Sequence, residues 1–239
     1  MIDEYRDINA YKSEEFSGFL TKVFGIMAIG LIVSAISAFF SIFSLVNGGI
    51  VYKFLIGTGS FGMIILGIAE IVTAVYLSSK LFSMSKRRAW ILYIAYAWIT
   101  GLSFGIFPLI YGVGTIFLAF GYSAILFISM AVIGYTTKAD LSKFSSLLSA
   151  GLITLLIASL ISIFLDIRGL DLFISYAGII VFLGITAFDI QKIKADYYNY
   201  SDKDILDKLG IFGAFMLYLD LINIFLDVLS ILGRKDNNN

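Results

Sequence analysis

Long stretches of this chain carry no charge. From Val23 to Tyr52 every residue is uncharged, more than the ~20 residues a helix needs to cross ~30 Å of hydrocarbon. Phe54 to Ser79 is a second such run, broken only by Glu70. Ala89 to Thr137 is uncharged and long enough for two helices, with Pro108 and the pair Gly112 and Gly114 marking the turn between them. Phe144 to Leu165, Leu170 to Gln191 and Leu209 to Leu232 complete the pattern. It predicts an all-α integral membrane protein, a bundle of seven transmembrane helices over roughly 19–47, 54–79, 89–110, 113–135, 144–165, 169–191 and 209–232. A polar cytoplasmic tail is expected over 1–18 and a disordered tail over 234–239. No linker, second domain or clear repeat interrupts this plan.

Composition agrees. The chain has 239 residues, 59% hydrophobic and only 14% charged, with a mean hydropathy of +0.95. Globular domains are nearer ~45–50% apolar and ~25% charged, so the bilayer is the expected partner. There is neither Cys nor His. Disulfides, thiol or imidazole catalysis and Cys/His metal sites are therefore excluded. The formal net charge of zero points to no nucleic-acid partner. The opening MIDEYRDINAYKSEEFSG is acidic where a secretory signal would begin basic, and reads as a retained tail.

Basic residues set the expected orientation. Arg6, Lys12, Lys22, Lys80, Lys86, Arg87, Arg88, Lys138, Lys143, Lys192, Lys194, Lys203 and Lys208 fall on one side. Lys53, Arg168, Arg234 and Lys235 fall on the other. The N-terminus is expected in the cytoplasm and the C-terminus outside. Abundant Ile, Phe and Asn with a single Pro suggest a low-GC bacterium, hence a plasma membrane.

Two glycine motifs invite chemical readings. Gly57-Thr58-Gly59-Ser60-Phe61-Gly62 matches a dinucleotide fingerprint, but no strand or βαβ unit is predicted around it. Gly101-Leu102-Ser103-Phe104-Gly105 is better explained by close helix packing.

Acids inside the spans are harder to dismiss, because an ionised Asp at a helix centre costs ~2.5–3.5 kcal/mol on insertion scales. Glu70, Asp189 and Asp220 are the candidates. If the last helix enters at about Gly210, Asp220 lies ~15 Å deep, at the midplane. Asn223 and Asp227 share its stripe at i+3 and i+7, with Asp227 near the outer mouth, where hydration alone could account for it. Asp189 also fits a solvated helix end paired with Lys192. Should Asp189 and Asp220 meet, two poorly hydrated carboxylates cannot both ionise easily, and they would share one proton. Loss of that proton would drive the two helices apart. Lys80, at the inner end of the second span, could latch the ionised pair or simply anchor the interface. The same acids could escort Ca²⁺, which prefers oxygen ligands. Asp189, Asp220 and Glu70 would be transient metal ligands, and Asn223 and Asp227 would extend the pathway. The set is too sparse for a tight cage, so Ca²⁺ is expected as a permeant ion with no tightly bound cofactor.

These residues lie in stretches that resemble the Bax inhibitor family, also called the transmembrane Bax inhibitor motif family. They are GYTTKADLSKFSSLL (Gly134–Leu148), ITAFDIQKIK (Ile185–Lys194) and LYLDLINIFLDVLSILG (Leu217–Gly233), with GLSFGIF (Gly101–Phe107) a looser match. The resemblance implies a bacterial member with seven helices, the last one central and enclosed by the other six. It implies a pH-sensitive calcium leak whose sensor is a hydrogen-bonded aspartate pair, mapping onto Asp189 and Asp220, and an acid of the second span mapping onto Glu70. Some members carry a basic latch, often Arg, at the inner end of that span. The nearest base here is Lys80, which lacks the bidentate fork of Arg.

Two functional classes follow. The first is a pH-sensitive calcium, or cation, leak channel gated by Asp189 and Asp220. The second is a non-catalytic interaction protein that modulates other membrane proteins, such as proteases or stress and cell-death factors. No nucleophile–base pair is visible, so the chain is not read as an enzyme.

Overall fold

The computed structural model describes residues 2–59, 61–80, 83–164 and 169–236. Ser60, Arg168 and the last three residues of the expected disordered tail lie outside them. The described residues form helices and no strand. In chain order these are α1 (Ile2–Val46), α2 (Ile50–Thr58), α3 (Phe61–Lys80), α4 (Lys86–Phe104), α5 (Phe107–Tyr111), α6 (Val113–Thr136), α7 (Ser145–Phe164), α8 (Leu170–Asn199) and α9 (Lys203–Asp236), with a 3-10 turn at Leu141–Phe144 before α7.

Seven helical segments among the described residues are long and apolar enough to cross a membrane: Glu14–Val46, Phe61–Lys80, Lys86–Tyr111, Val113–Thr136, Leu141–Ser162, Leu170–Asn199 and Lys203–Arg234. Large apolar side chains such as Phe39, Ile68, Phe117 and Ile180 are exposed, as a lipid-facing surface requires. The last segment differs. Its apolar window is 72% buried, against 33% or less for the others, so it is the one packed mainly against protein.

Several boundaries differ from the hydropathy reading; among them, α8 runs on to Asn199 and α9 begins at Lys203. The helix α1 starts at Ile2 and includes the polar tail, whose Glu, Lys and Ala residues are good helix formers even outside lipid. The helix α9 runs through Arg234 to Asp236, into the expected tail. The second charge-free run breaks at Gly59, whose φ of +58° suits a residue without a Cβ. Before the break lies α2, which buries none of its residues; the span itself is α3.

The chain forms two compact units, Met1–Ile106 with Lys194–Phe215, and Phe107–Ile193 with Met216–Asn239. In the first unit a serine ladder joins α1 to α4. Ser34, Ser37, Ser41 and Ser44 are buried and recur every three or four residues, on one face of α1. Ser34 Oγ donates to the Ala97 carbonyl (2.8 Å), Ser37 Oγ to Trp98 (2.6 Å) and Ser41 Oγ to Leu102 (2.8 Å). Opposite them stand Gly101 and Gly105. A Cβ on Gly101 would strike the Ser34 carbonyl, and one on Gly105 would strike Ser41. The motif of small residues thus lets two backbones approach closely enough for hydroxyls to bridge them.

The first turns of α9 are tied into the same unit by charge. Asp207 accepts from Lys22 Nζ of α1 and Lys86 Nζ of α4, each at 2.6 Å. Its side chain is 18% exposed, whereas the lysines are 51% and 45% exposed, so water weakens both contacts. Asp207→Asn is expected to reduce stability by about 1 kcal/mol. A thermal melt of the purified protein should show the loss, and it should shrink in ~1 M salt, where exposed charges are screened. In the same unit the Phe215 ring stands roughly perpendicular to those of Tyr96 (5.2 Å between centroids) and Tyr93 (6.3 Å).

Candidate functional site

The second unit holds the carboxylates of α8 and α9. On α8, Thr186, Asp189, Ile190 and Ile193 are all buried, so one helical face turns inward and carries Asp189 with it. A glycine sets how closely α6 approaches: a Cβ on Gly134 would strike the Ala187 backbone. On α9, Asp220 is 3% exposed. Asp189 acts electrostatically on Asp220. Thr186 Oγ1 lies within hydrogen-bonding reach of Asp220, yet it donates to the Phe182 carbonyl at 2.8 Å. Oδ2 of Asp220 has no hydrogen-bond partner among the described residues. Lys192, one turn beyond Asp189, acts on it electrostatically but points to the exposed side.

Further along α9, Asn223 and Asp227 are half-buried. Asn223 Nδ2 donates to the Leu219 carbonyl at 2.7 Å, which leaves its side-chain oxygen as an acceptor. The Asp227 carboxylate lies against Gly178 of α8, in the space a Cβ there would need. No cation among the described residues pairs with it; Arg234, one possible partner, binds Asp171 at 2.7 Å.

Glu70 and Lys80 belong to the first unit. Glu70 Oε1 accepts from the Ser103 hydroxyl at 2.7 Å, which joins α3 to α4 through the middle residue of the GLSFG motif. Lys80 closes α3 and is exposed.

Gln191 and Asp140 were not singled out from the sequence. Gln191 Oε1 accepts from the Leu141 backbone N–H, and its Nε2 donates to the Ala139 carbonyl, both at 2.8 Å. One side chain of ITAFDIQKIK therefore holds the loop of GYTTKADLSKFSSLL. Asp140 caps the 3-10 turn of that loop. The Ser142 hydroxyl (2.6 Å) and backbone N–H (3.0 Å) both donate to it, and they hold its carboxyl below the ordinary range. The signal that could have exposed Gln191 is its position beside Asp189, an uncharged amide where a solvated helix end would tolerate anything. Gln191→Ala should leave the Leu141 amide without its acceptor. Its hydrogen exchange is expected to accelerate by about fivefold, matching the ~1 kcal/mol of a typical hydrogen bond.

Over residues 16–237 the sequence matches the family profile described as "Inhibitor of apoptosis-promoting Bax1". The chain belongs to the Bax inhibitor family. Similar bacterial proteins match it over almost their full lengths. A protein of Borreliella burgdorferi with no assigned function is 35% identical, over 92% of this chain and 93% of the relative. RP147 of Rickettsia prowazekii is 36% identical, over 91% and 89%. The inner membrane protein YbhL of Escherichia coli K12 is 34% identical, over 91% and 92%. Bax inhibitor family membership accords with the seven apolar segments: the chain is an integral membrane protein.

Proposed function

We propose that the chain is a pH-sensitive calcium leak of a bacterial plasma membrane, gated by a proton held between Asp189 and Asp220. The observation that carries this reading is the buried pair itself: two carboxylates, Asp189 acting electrostatically on Asp220, with Oδ2 of Asp220 lacking any donor among the described residues. A buried carboxylate oxygen without a donor is costly, and a shared proton supplies one. The Thr186 hydroxyl hydrogen is engaged by the Phe182 carbonyl, so it does not stand in for that proton. Once the proton leaves, two like charges repel across α8 and α9, and these helices carry the gate.

Asn223 and Asp227 continue the acceptor line along α9, and Glu70 offers a further carboxylate on α3. Ions pass such scattered oxygens; a tight Ca²⁺ site needs ~6–8 of them at one point. Lys22 of α1, Lys86 of α4 and Lys208 of α9, paired with Asp207 and Asp204, support a cytoplasmic N-terminus by the positive-inside rule, with the C-terminus outside. The last helix, whose apolar window is the most buried of the seven, carries the gating carboxylate. Lys80 remains a candidate latch for the ionised state.

The test is Ca²⁺ flux through purified protein in liposomes, measured from about pH 5 to pH 9 for the wild type and Asp189→Asn. A leak by the protein alone whose pH dependence disappears in the variant supports the gate. The family profile's description also permits a non-catalytic role on other membrane proteins; absence of flux together with a co-purifying membrane protein would favour that reading.

A further inference from the structure

A groove of about 240 Å³ lies in the second unit between α7, α8 and α9. It is larger than the ~150 Å³ cavity that admits benzene. Ten residues line it, and only Ser159, Asn223 and Asp227 are polar; the walls are otherwise aliphatic apart from Gly178 and the Phe182 ring. Leu156 on its rim is 55% exposed, so the groove opens sideways and a ligand dissolved in lipid reaches it.

We propose that this groove binds a small apolar amine as its ammonium ion. Asp227 supplies the counter-charge. Its carboxylate is half-buried, has no basic partner among the described residues, and occupies the space left by the missing side chain of Gly178. A carboxylate in apolar surroundings gains most from a cation that brings its own hydrocarbon, because both groups then leave water together. A primary ammonium has three N–H donors. Three side chains that carry an acceptor line the groove, Asp227, Asn223 and Ser159, and the Asn223 amide nitrogen is already bonded to Leu219. The apolar walls, the Phe182 ring among them, take the alkyl chain. Three polar side chains are too few for a hard divalent ion that seeks six or more oxygens. Mostly apolar walls with a few convergent polar groups are the usual make-up of a small-molecule site. This site goes beyond the leak reading: it uses Asn223 and Asp227 for a different ligand, and neither Asp189 nor Asp220 lines it.

The experiment titrates hexylammonium into the full-length protein in phosphatidylglycerol nanodiscs, with 1-hexanol as the uncharged probe of equal length. The wild type should bind hexylammonium saturably and hexanol at least about tenfold more weakly, as loss of a charge-assisted contact requires. Asp227→Asn should weaken hexylammonium to a similar degree. Leu156→Trp, which fills the groove from its exposed rim, should abolish binding while leaving the melting temperature unchanged. Asp189→Asn should bind like the wild type, so a failed gate and a failed amine site are distinguishable. Equal affinity for hexanol, or unchanged affinity in Asp227→Asn, overturns the proposal. Loss of hexylammonium binding when phosphatidylethanolamine replaces phosphatidylglycerol also overturns it, by assigning the groove to a lipid headgroup.

Discussion

Asp220→Asn is expected to leave the protein folded and to flatten the pH dependence of its Ca²⁺ flux. The substitution keeps shape and volume in a site that is 3% exposed, so packing around α9 survives. What it removes is the second titrating group. Two carboxylates in a protein interior interact by on the order of a few kcal/mol, and each ~1.4 kcal/mol is a factor of ten in an equilibrium constant. The wild-type flux should therefore change by about tenfold or more across the titration of the pair. The variant, with one carboxyl and one amide, has no like-charge state to reach. Its melting temperature should also vary less with pH. A variant that leaks with the wild-type pH profile would show that this pair is not the gate.

Gly101→Leu is expected to prevent accumulation of folded protein. The position faces the Ser34 backbone carbonyl and the Ser37 side chain, and backbone cannot yield as a flexible side chain can. Overpacking a tight interior costs ~1–3 kcal/mol where neighbours can adjust; here the added atoms would also separate α1 from α4 and break the bonds at Ala97, Trp98 and Leu102. A loss of several such bonds, each ~1 kcal/mol, exhausts much of the ~5–15 kcal/mol that holds a typical protein. Gly67→Leu is the control, since a Cβ there meets nothing within 4 Å. Membrane-fraction yield and gel-filtration profile should separate the two variants, and comparable yields would remove the close-approach explanation.

The seven apolar segments were legible in the sequence because lipid admits only helices that satisfy their own backbones, so length and charge locate them. Charge does not mark where a helix bends. Gly59 and the unburied α2 were hidden inside a continuous apolar run. Nor does apolarity mark where a helix starts in water, which is why α1 extends through its polar end. The motifs pointed to Asp189 and Asp220, but spacing could not show that both are buried, because helix boundaries read from sequence carry an error of ~2–4 residues. Gln191, Asp207 and Gly178 were illegible for another reason. Each acts on residues far away in the chain, Gln191 on the loop at Ala139 and Leu141, Asp207 on Lys22 and Lys86, Gly178 on Asp227. No local periodicity encodes such a partnership.

The hydroxyl ladder of α1 has a consequence for biogenesis. Ser34 Oγ sits 3.0 Å from the Gly30 carbonyl of its own helix as well as 2.8 Å from Ala97 of α4. While α1 is alone in the bilayer, with α4 still to be synthesised, that hydroxyl can rest on its own backbone. When α4 arrives the hydrogen is handed across, so the Ser34 hydroxyl is at no stage stranded in hydrocarbon. The first helix can thus be released early and docked late, which frees the order of insertion from the order of assembly.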